Sequence, residues 1–285
     1  MAPLDLKAAI ARAEAHARAT GALLPVITEQ RIIEDGGMTF RVEWLSTLAM
    51  KDLAARMPRA GDKSSINPFL PFEQDLFVAD LSDTHVAILN KFQAFAGHLV
   101  LITRQFVEQG DPLERADLEA CALMLAQDPG LIFFNSNGDA GASQRHRHLQ
   151  FIPGYDPPVA AVIQGLGAPW VLGSAPVLPF AHWLYGIPAG AFDDVSTVTD
   201  RLAAVVKDAY GLLGADERGD PPAYNLLITR EWLMIVPRRI ETAAGVSLSA
   251  LGFAGLIGLR SQDQFDAVEA FGPMAMLVEA AGPSA

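Results

Sequence analysis

The feature that most restricts the fold is an order of elements that occurs twice. Between Gly97 and Pro153, "GHLVLITRQF" reads as a strand of the buried type, and Asp111–Pro112 starts a helix over "PLERADLEACALMLAQ". Asp128, Pro129 and Gly130 stop that helix, and the strands "LIFFNSN" and "RHRHLQFIP" follow. Between Phe180 and Arg239 the same order returns. "FAHWLYGIP" is a strand, and "FDDVSTVTDRLAAVVKDAYGLLG" is a helix with Asp193 or Asp194 at its N-cap. "YNLLIT" and "WLMIVPRR" are then two strands around the turn "REW". The order repeats and the residues do not. Neighbouring strands joined by short loops pair antiparallel, so the expected fold is α+β: a mostly antiparallel sheet with helices packed on it, in two halves that share an element order.

The rest of the chain frames this unit. "MAPLDLKAAIARAEAHARATGALL" has acids and no hydrophobic signal region, so it reads as an amphipathic helix. "LLPVITEQRIIEDGGMTFRVEWL" alternates like two strands around Gly36–Gly37. The proline- and glycine-rich stretch 156–180 shows no strong period and reads as a connection or covering arm. It divides residues 20–155 from 180–285 within one domain of 285 residues.

Composition sets limits on partners. Hydrophobic residues make up 51% and charged residues 19%, the balance of a globular chain rather than a disordered one. The formal net charge of −12 argues against a nucleic-acid polymer or an anionic membrane as partner. No apolar stretch approaches the roughly 18 residues a membrane span needs. Cys121 is the one cysteine and falls in an apolar helical run, which reads as a core position in a cytoplasmic protein without disulfides.

The chemistry concentrates in "NSNGDAGASQRHRHLQ", Asn135 to Gln150. Side chains of a strand alternate between faces, so His146, His148 and Gln150 share one face and Arg147 and Leu149 the other. Zinc ligation is one use for two imidazoles, but no cysteine pair or HxxxH motif supplies further ligands, and no protein metal site is expected. Nucleophilic attack on phosphorus is another. It needs donors for the phosphoryl oxygens, and the small residues Gly138, Gly141, Ala142 and Ser143 let main-chain N–H groups approach them. Ser143 and Gln144 add side-chain donors, and Arg145, Arg147 or a lysine would add charge. A half-buried strand with hydrogen-bonded histidines is the plain structural alternative.

This stretch resembles the signature of the dinucleoside polyphosphate phosphorylases, or ATP adenylyltransferases, a family of the histidine-triad superfamily alongside galactose-1-phosphate uridylyltransferase. The family pattern is N-x-G-x-x-A-G-S-S-Q-x-H-x-H-L-Q. Similarity continues in family order through "NPFLPF", "LNKF", "HLVLITRQF", "YNLLITREWLMIVPR" and "SALGFAGL", covering most of the chain beyond about residue 25. The resemblance implies a histidine-triad, uridylyltransferase-like fold over 1–285. It implies cleavage of diadenosine tetraphosphate by inorganic phosphate to ATP and ADP, reversibly, through an adenylyl-histidine. His148 would be the nucleophile, Gln150 would bond a phosphoryl oxygen, and His146 would orient the nucleophile or the loop. Asn135, Gly141, Ala142, Ser143 and Gln144 would contact phosphate or ribose. Asn90 and Lys91 would reach the nucleotide, and Lys51 the distal phosphates. Asn225, Thr229, Met234 and Arg238 are candidates for the second nucleotide. Trp232, Met234 and Val236 alternate like core residues, and His98 reads as a structural histidine.

Two positions depart from the pattern. Asn137 stands where the family has glycine, and Ala142 replaces a serine, which leaves open the preferred dinucleotide and acceptor. A sugar-1-phosphate nucleotidyltransferase, a dinucleoside polyphosphate hydrolase and a non-catalytic nucleotide sensor remain as alternatives. Four phosphates in an acidic protein call for a divalent cation, magnesium or manganese, arriving with the substrate.

Overall fold

The structure is a computed structural model and describes residues 4–24, 26, 28–45, 67–163 and 168–284. The chain opens with helix α1 (Leu6–Thr20), capped by Asp5, whose side chain accepts the N–H of Ala8 at 3.0 Å, and closed by Gly21 at φ 76°. Leu6, Ala9, Ile10, Ala13 and Ala17 recur at helical spacing and are its buried face. Strands β1 (Thr28–Asp35) and β2 (Met38–Leu45) form the hairpin expected around Gly36–Gly37.

The first half continues with β3 (Phe77–Asp80), β4 (His85–Leu89), β5 (Leu99–Thr103), α2 (Arg115–Gln127), β6 (Gly130–Asn135) and β7 (His148–Pro153). The second half has β8 (Leu172–Gly173), β9 (Trp183–Gly186), α3 (Val195–Leu213), β10 (Tyr224–Ile228) and β11 (Trp232–Pro237). Short strands β12 (Thr242–Ala243) and β13 (Val246–Ser247), α4 (Ala250–Ala254), β14 (Leu256–Leu259), α5 (Asp263–Phe271) and α6 (Pro273–Ala281) complete it. Nine strands join in the order β3-β4-β5-β7-β6-β10-β11-β9-β8, and every pairing is antiparallel. The α+β expectation therefore holds. The repeated element order has a spatial counterpart, because β5-β7-β6 and β9-β11-β10 run outside-in toward a shared seam at β6–β10. There Asn135 pairs with Asn225.

Period-2 alternation sends the two faces of this sheet into different cores. Leu149, Phe151, Phe134 and Leu226 pack under α1, α2 and α3. Phe133, Ile152, Leu227 and Met234 pack with β1, β2, β14 and the C-terminal helices. Helices α2 and α3 lie against each other, tied by Arg115 to Asp200 at 2.7 Å, and the buried hydroxyls of Tyr210 and Tyr224 meet at 2.9 Å.

Several local expectations need correction. Helix α2 starts at Arg115 rather than at Asp111–Pro112, because Glu114 and Asp117 form a reciprocal capping box there. Of the two N-cap candidates for α3, Asp194 is the one that caps it. The histidine strand begins at His148, not Arg145; His146 makes only an isolated bridge to Glu108. The stretch 156–180, read as irregular, supplies the edge strand β8. No helix among the described residues is long and apolar enough to cross a membrane.

Candidate active site

His148 is 6% exposed on β7, with Ile102 of β5 as its cross-strand neighbour. Its Nδ1 lies 2.8 Å from the carbonyl oxygen of His146. A carbonyl only accepts, so Nδ1 carries the proton and Nε2 keeps its lone pair. Nε2 has no hydrogen-bond partner among the described residues. Burial lowers the His148 pKa to about 4, so the ring is neutral at pH 7. The side chain of Gln109 fixes the peptide beneath. Its Oε1 accepts the His148 N–H at 2.8 Å, and its Nε2 donates to the carbonyls of His148 at 3.0 Å and Asn135 at 2.7 Å.

Gln150 follows on the same face and is oriented by a chain of hydrogen bonds. Phe92 N–H donates to Asn90 Oδ1 at 3.0 Å, Asn90 Nδ2 donates to His98 Nδ1 at 3.3 Å, and His98 Nε2 donates to Gln150 Oε1 at 3.0 Å. With its oxygen occupied, Gln150 presents its amide NH₂ to the cavity. Burial lowers His98 to about 4 as well, which keeps the neutral tautomer this chain requires.

His146 does not line the cavity. Its Nδ1 accepts from Asn67 Nδ2 at 2.9 Å, and its Nε2 lies 2.8 Å from the carbonyl and 2.9 Å from the hydroxyl of Thr103. The ring is thereby locked, and its carbonyl becomes the fixed acceptor for His148. Phe69 packs over both histidines, with ring centroids 5.6 and 5.4 Å away.

These groups border a cavity of about 280 Å³. It brings together His148, Gln150, Ser143, Gln144, Asn90 and Lys91 from the expected set, with Ile88, Val100 and Phe69 as apolar walls. The main-chain N–H groups of Ser143 and Gln144 have no partner among the described residues and stand available to an anion. Lys91 Nζ pairs with Glu73 at 2.5 Å on the cavity rim.

The loop is shaped from behind. Gly141 has φ 89°, and a Cβ there would meet the Leu248 carbonyl oxygen at 2.7 Å, so only glycine fits. Asn137 caps the turn that follows it, its side chain accepting the Ala140 N–H at 3.1 Å, which gives this departure from the family pattern a structural use. Asn135 Oδ1 accepts from Asn225 and from the Ala250 N–H, both at 2.8 Å. Arg238 donates to Asn225 Oδ1 at 2.7 Å and to the carbonyls of Leu248 at 2.8 Å and Ala140 at 3.2 Å. Burial brings Arg238 down to about 10. Asn135, Asn225 and Arg238 are thus spent on protein groups, and neither they nor Gly141 and Ala142 line the cavity.

Other candidates lie elsewhere. Thr229 holds the β10–β11 turn through the N–H groups of Glu231 and Trp232, at the other end of β10 from Asn225. Met234 is fully buried in the core. Lys51 lies outside the described residues. Arg147, once a source of phosphate charge, is 1% exposed on the opposite face, paired with Asp117 at 2.6 Å. Arg145 is exposed and pairs with Glu108. Among the described residues no group of three His, Cys, Asp or Glu side chains is arranged to hold a metal ion.

Fold and site together define an α+β protein that aims a neutral, desolvated imidazole and a carboxamide donor at a cavity edged by a small-residue loop. A model of the Ap4A phosphorylase N-terminal domain matches residues 1–161, and one of the ATP adenylyltransferase C-terminal domain matches 176–283. The chain belongs to this Ap4A phosphorylase family. Diadenosine 5',5'''-P1,P4-tetraphosphate phosphorylase 2 of Saccharomyces cerevisiae is 24% identical over 288 residues, spanning 88% of this chain and 86% of the yeast one. The crystal structure of yeast Ap4A phosphorylase Apa2 with AMP superposes with a TM-score of 0.81 at 20% identity, over 100% of this chain and 99% of the other. The complex with Ap4A gives 0.79 at 19% identity over 100% of both chains. These likenesses show a shared fold.

Proposed function

We propose that this chain is an ATP adenylyltransferase that cleaves diadenosine tetraphosphate with inorganic phosphate to ATP and ADP. The observation that carries the reading is the free Nε2 of a neutral His148 facing the cavity, while Nδ1 is held by the His146 carbonyl. Nε2 attacks the α-phosphorus, the bond to the bridging oxygen breaks, and ATP leaves with that electron pair. The imidazole becomes cationic as the N–P bond forms, and the His146 carbonyl accepts a stronger hydrogen bond from Nδ1–H. A phosphate oxygen then attacks the same phosphorus, the N–P bond breaks, and ADP leaves with neutral His148. The Gln150 NH₂ and the N–H groups of Ser143 and Gln144 are suited to the equatorial oxygens, whose charge is greatest in the transition state.

Lys91 is paired with Glu73, and neither Arg145 nor Arg147 reaches the cavity. Charge on the tetraphosphate beyond what Lys51 would neutralise suits a divalent ion carried in by the substrate, magnesium or manganese. The nucleotides and phosphate it would use, with a single unpaired cysteine, fit a cytoplasmic setting.

Incubation with diadenosine tetraphosphate and phosphate should yield ATP and ADP in equal amounts, and intact-mass analysis without phosphate should find one AMP on the wild type and none on His148→Ala. AMP with ATP as the products in the absence of phosphate would indicate a hydrolase instead. Chelation by EDTA should abolish turnover, with recovery on adding magnesium or manganese.

A further inference from the structure

Arg147 stands between His146 and His148 in the chain, yet its side chain turns away from the cavity and is 1% exposed. Its guanidinium is divided between two tasks. Nη1 donates to Asp117 Oδ2 at 2.6 Å and neutralises a buried carboxylate. Nη2 donates to the carbonyls of Asp111 at 2.6 Å and Glu108 at 3.0 Å. One donor nitrogen is enough for the carboxylate, so the planar fork leaves the other to the loop 107–113.

That loop contains no helix or strand of its own. It lies along the histidine segment instead. The Val107 carbonyl accepts the Arg147 N–H at 2.8 Å, the Gln109 N–H donates to the Arg145 carbonyl at 2.6 Å, and Glu108 bridges to His146. From this loop the Gln109 side chain reaches back to His148, accepting its N–H at 2.8 Å and donating to its carbonyl at 3.0 Å. A closed circuit results. The Arg147 side chain holds the loop from the core side, and the loop's Gln109 holds the peptide of the next residue, His148. The circuit is anchored in regular structure. Asp117 belongs to the first turn of α2, and its Oδ1 lies 3.1 Å from Nε2 of the buried His85 on β4. The Phe134 ring lies 5.8 Å from the guanidinium, one residue before Asn135, whose carbonyl also accepts from Gln109.

We infer that Arg147 is a positioning residue for adenylyl transfer, setting the aim of His148 through Gln109 from the far side of the sheet. This rests on the reading that His148 attacks phosphorus. Arg147 does not line the cavity, so its effect falls on the rate of attack and not on substrate affinity. Attack is sensitive to placement, and a shift of roughly 1 Å costs about a hundredfold in rate. An ion pair that served stability alone would behave differently, because whatever restored stability would also restore the rate.

Single-turnover transfer of AMP from diadenosine tetraphosphate, followed beside urea denaturation, separates the two roles. Arg147→Lys keeps a cation for Asp117 but has no second nitrogen for the loop. Arg147→Met/Asp117→Asn removes both charges and the loop donors, and it supplies the comparison should the buried lysine prevent folding. Each should transfer AMP at least about tenfold more slowly at saturating substrate, with the half-saturating concentration within about twofold of wild type. Gln109→Leu should be slow as well, and adding Arg147→Lys to it should slow transfer less than about twofold further, since both act through one contact. Leu202→Ala truncates a fully buried side chain of α3 and removes no bond of this circuit. It should lower stability and leave the transfer rate within about twofold. A rate within about twofold of wild type in either folded Arg147 variant overturns the inference. So does a loss seen in half-saturation instead of rate, a multiplicative loss in Gln109→Leu/Arg147→Lys, or an equal slowing in Leu202→Ala. A wild type that acquires no AMP on His148 would instead overturn the nucleotidyltransferase reading itself.

Discussion

His98 donates from Nε2 to Gln150 Oε1 across 3.0 Å, and that single bond decides which end of the Gln150 carboxamide faces the cavity. Without it the amide can turn its oxygen toward a phosphoryl oxygen and repel it. His98→Phe should slow adenylyl transfer by about tenfold to a hundredfold while leaving KM within about twofold. His98→Asn, which keeps a donor, should recover part of the rate. Single-turnover kinetics would separate the two effects, and an unchanged rate in His98→Phe would show that Gln150 is oriented by other means.

Gln109 bonds both the N–H and the carbonyl of His148. Gln109→Leu removes the side-chain partner of three buried main-chain groups, the N–H and carbonyl of His148 and the carbonyl of Asn135, so urea denaturation should find a loss of about 1–3 kcal/mol or more. Adenylylation should slow as well, because the His148 main chain loses its clamp. Gln109→Glu keeps the acceptor for His148 N–H and should fall between the two.

His148 and His98 are both lowered by burial from 6.5 to about 4. Acidification below 6.5 protonates these rings in the unfolded chain before the folded one, so the unfolded state binds more protons and stability falls with pH. The loss should be absent above about 6.5 and develop between there and about 4. The phosphate-independent first half-reaction should stay flat through pH 6.5, where an exposed histidine would already be half protonated, and decline toward pH 4. Burst kinetics across that range would check it, and a midpoint near 6.5 would contradict a buried neutral nucleophile.

Arg147 and Asp117 are both buried, and the guanidinium also donates to the carbonyls of Glu108 and Asp111. Arg147→Met removes the buried cation beside Asp117, leaving the carboxylate only His85 and the Glu114 N–H, and should cost about 3–5 kcal/mol in chemical denaturation. The double variant Arg147→Met/Asp117→Asn removes both charges while keeping a side-chain acceptor for the Glu114 N–H, and should recover part of that loss. An Arg147→Met protein of wild-type stability would mean that the pair contributes little.

Much of the site could be read before folding, because it depends on local geometry. Alternation along a strand placed His148 and Gln150 on one face, and the small residues ahead of them marked the loop. What failed was any role that depends on which distant residue fills the space behind. Asn225 and Arg238 share one buried network holding Ala140 and Leu248, and their spacing in sequence carries no sign of this. Gln109 lies in a loop without periodicity, and no local signal marks it as the clamp on His148.

Sequence by itself determined the alternation of faces and the antiparallel pairing of loop-joined strands, since each follows from spacing along one continuous segment. Tertiary structure decided the rest: the neutral state of His148, the direction of the Gln150 amide and the retreat of Arg147 into the core. Burial and hydrogen-bond partners come from segments far apart in the chain, and only their packing sets the dielectric and the donors that each side chain meets.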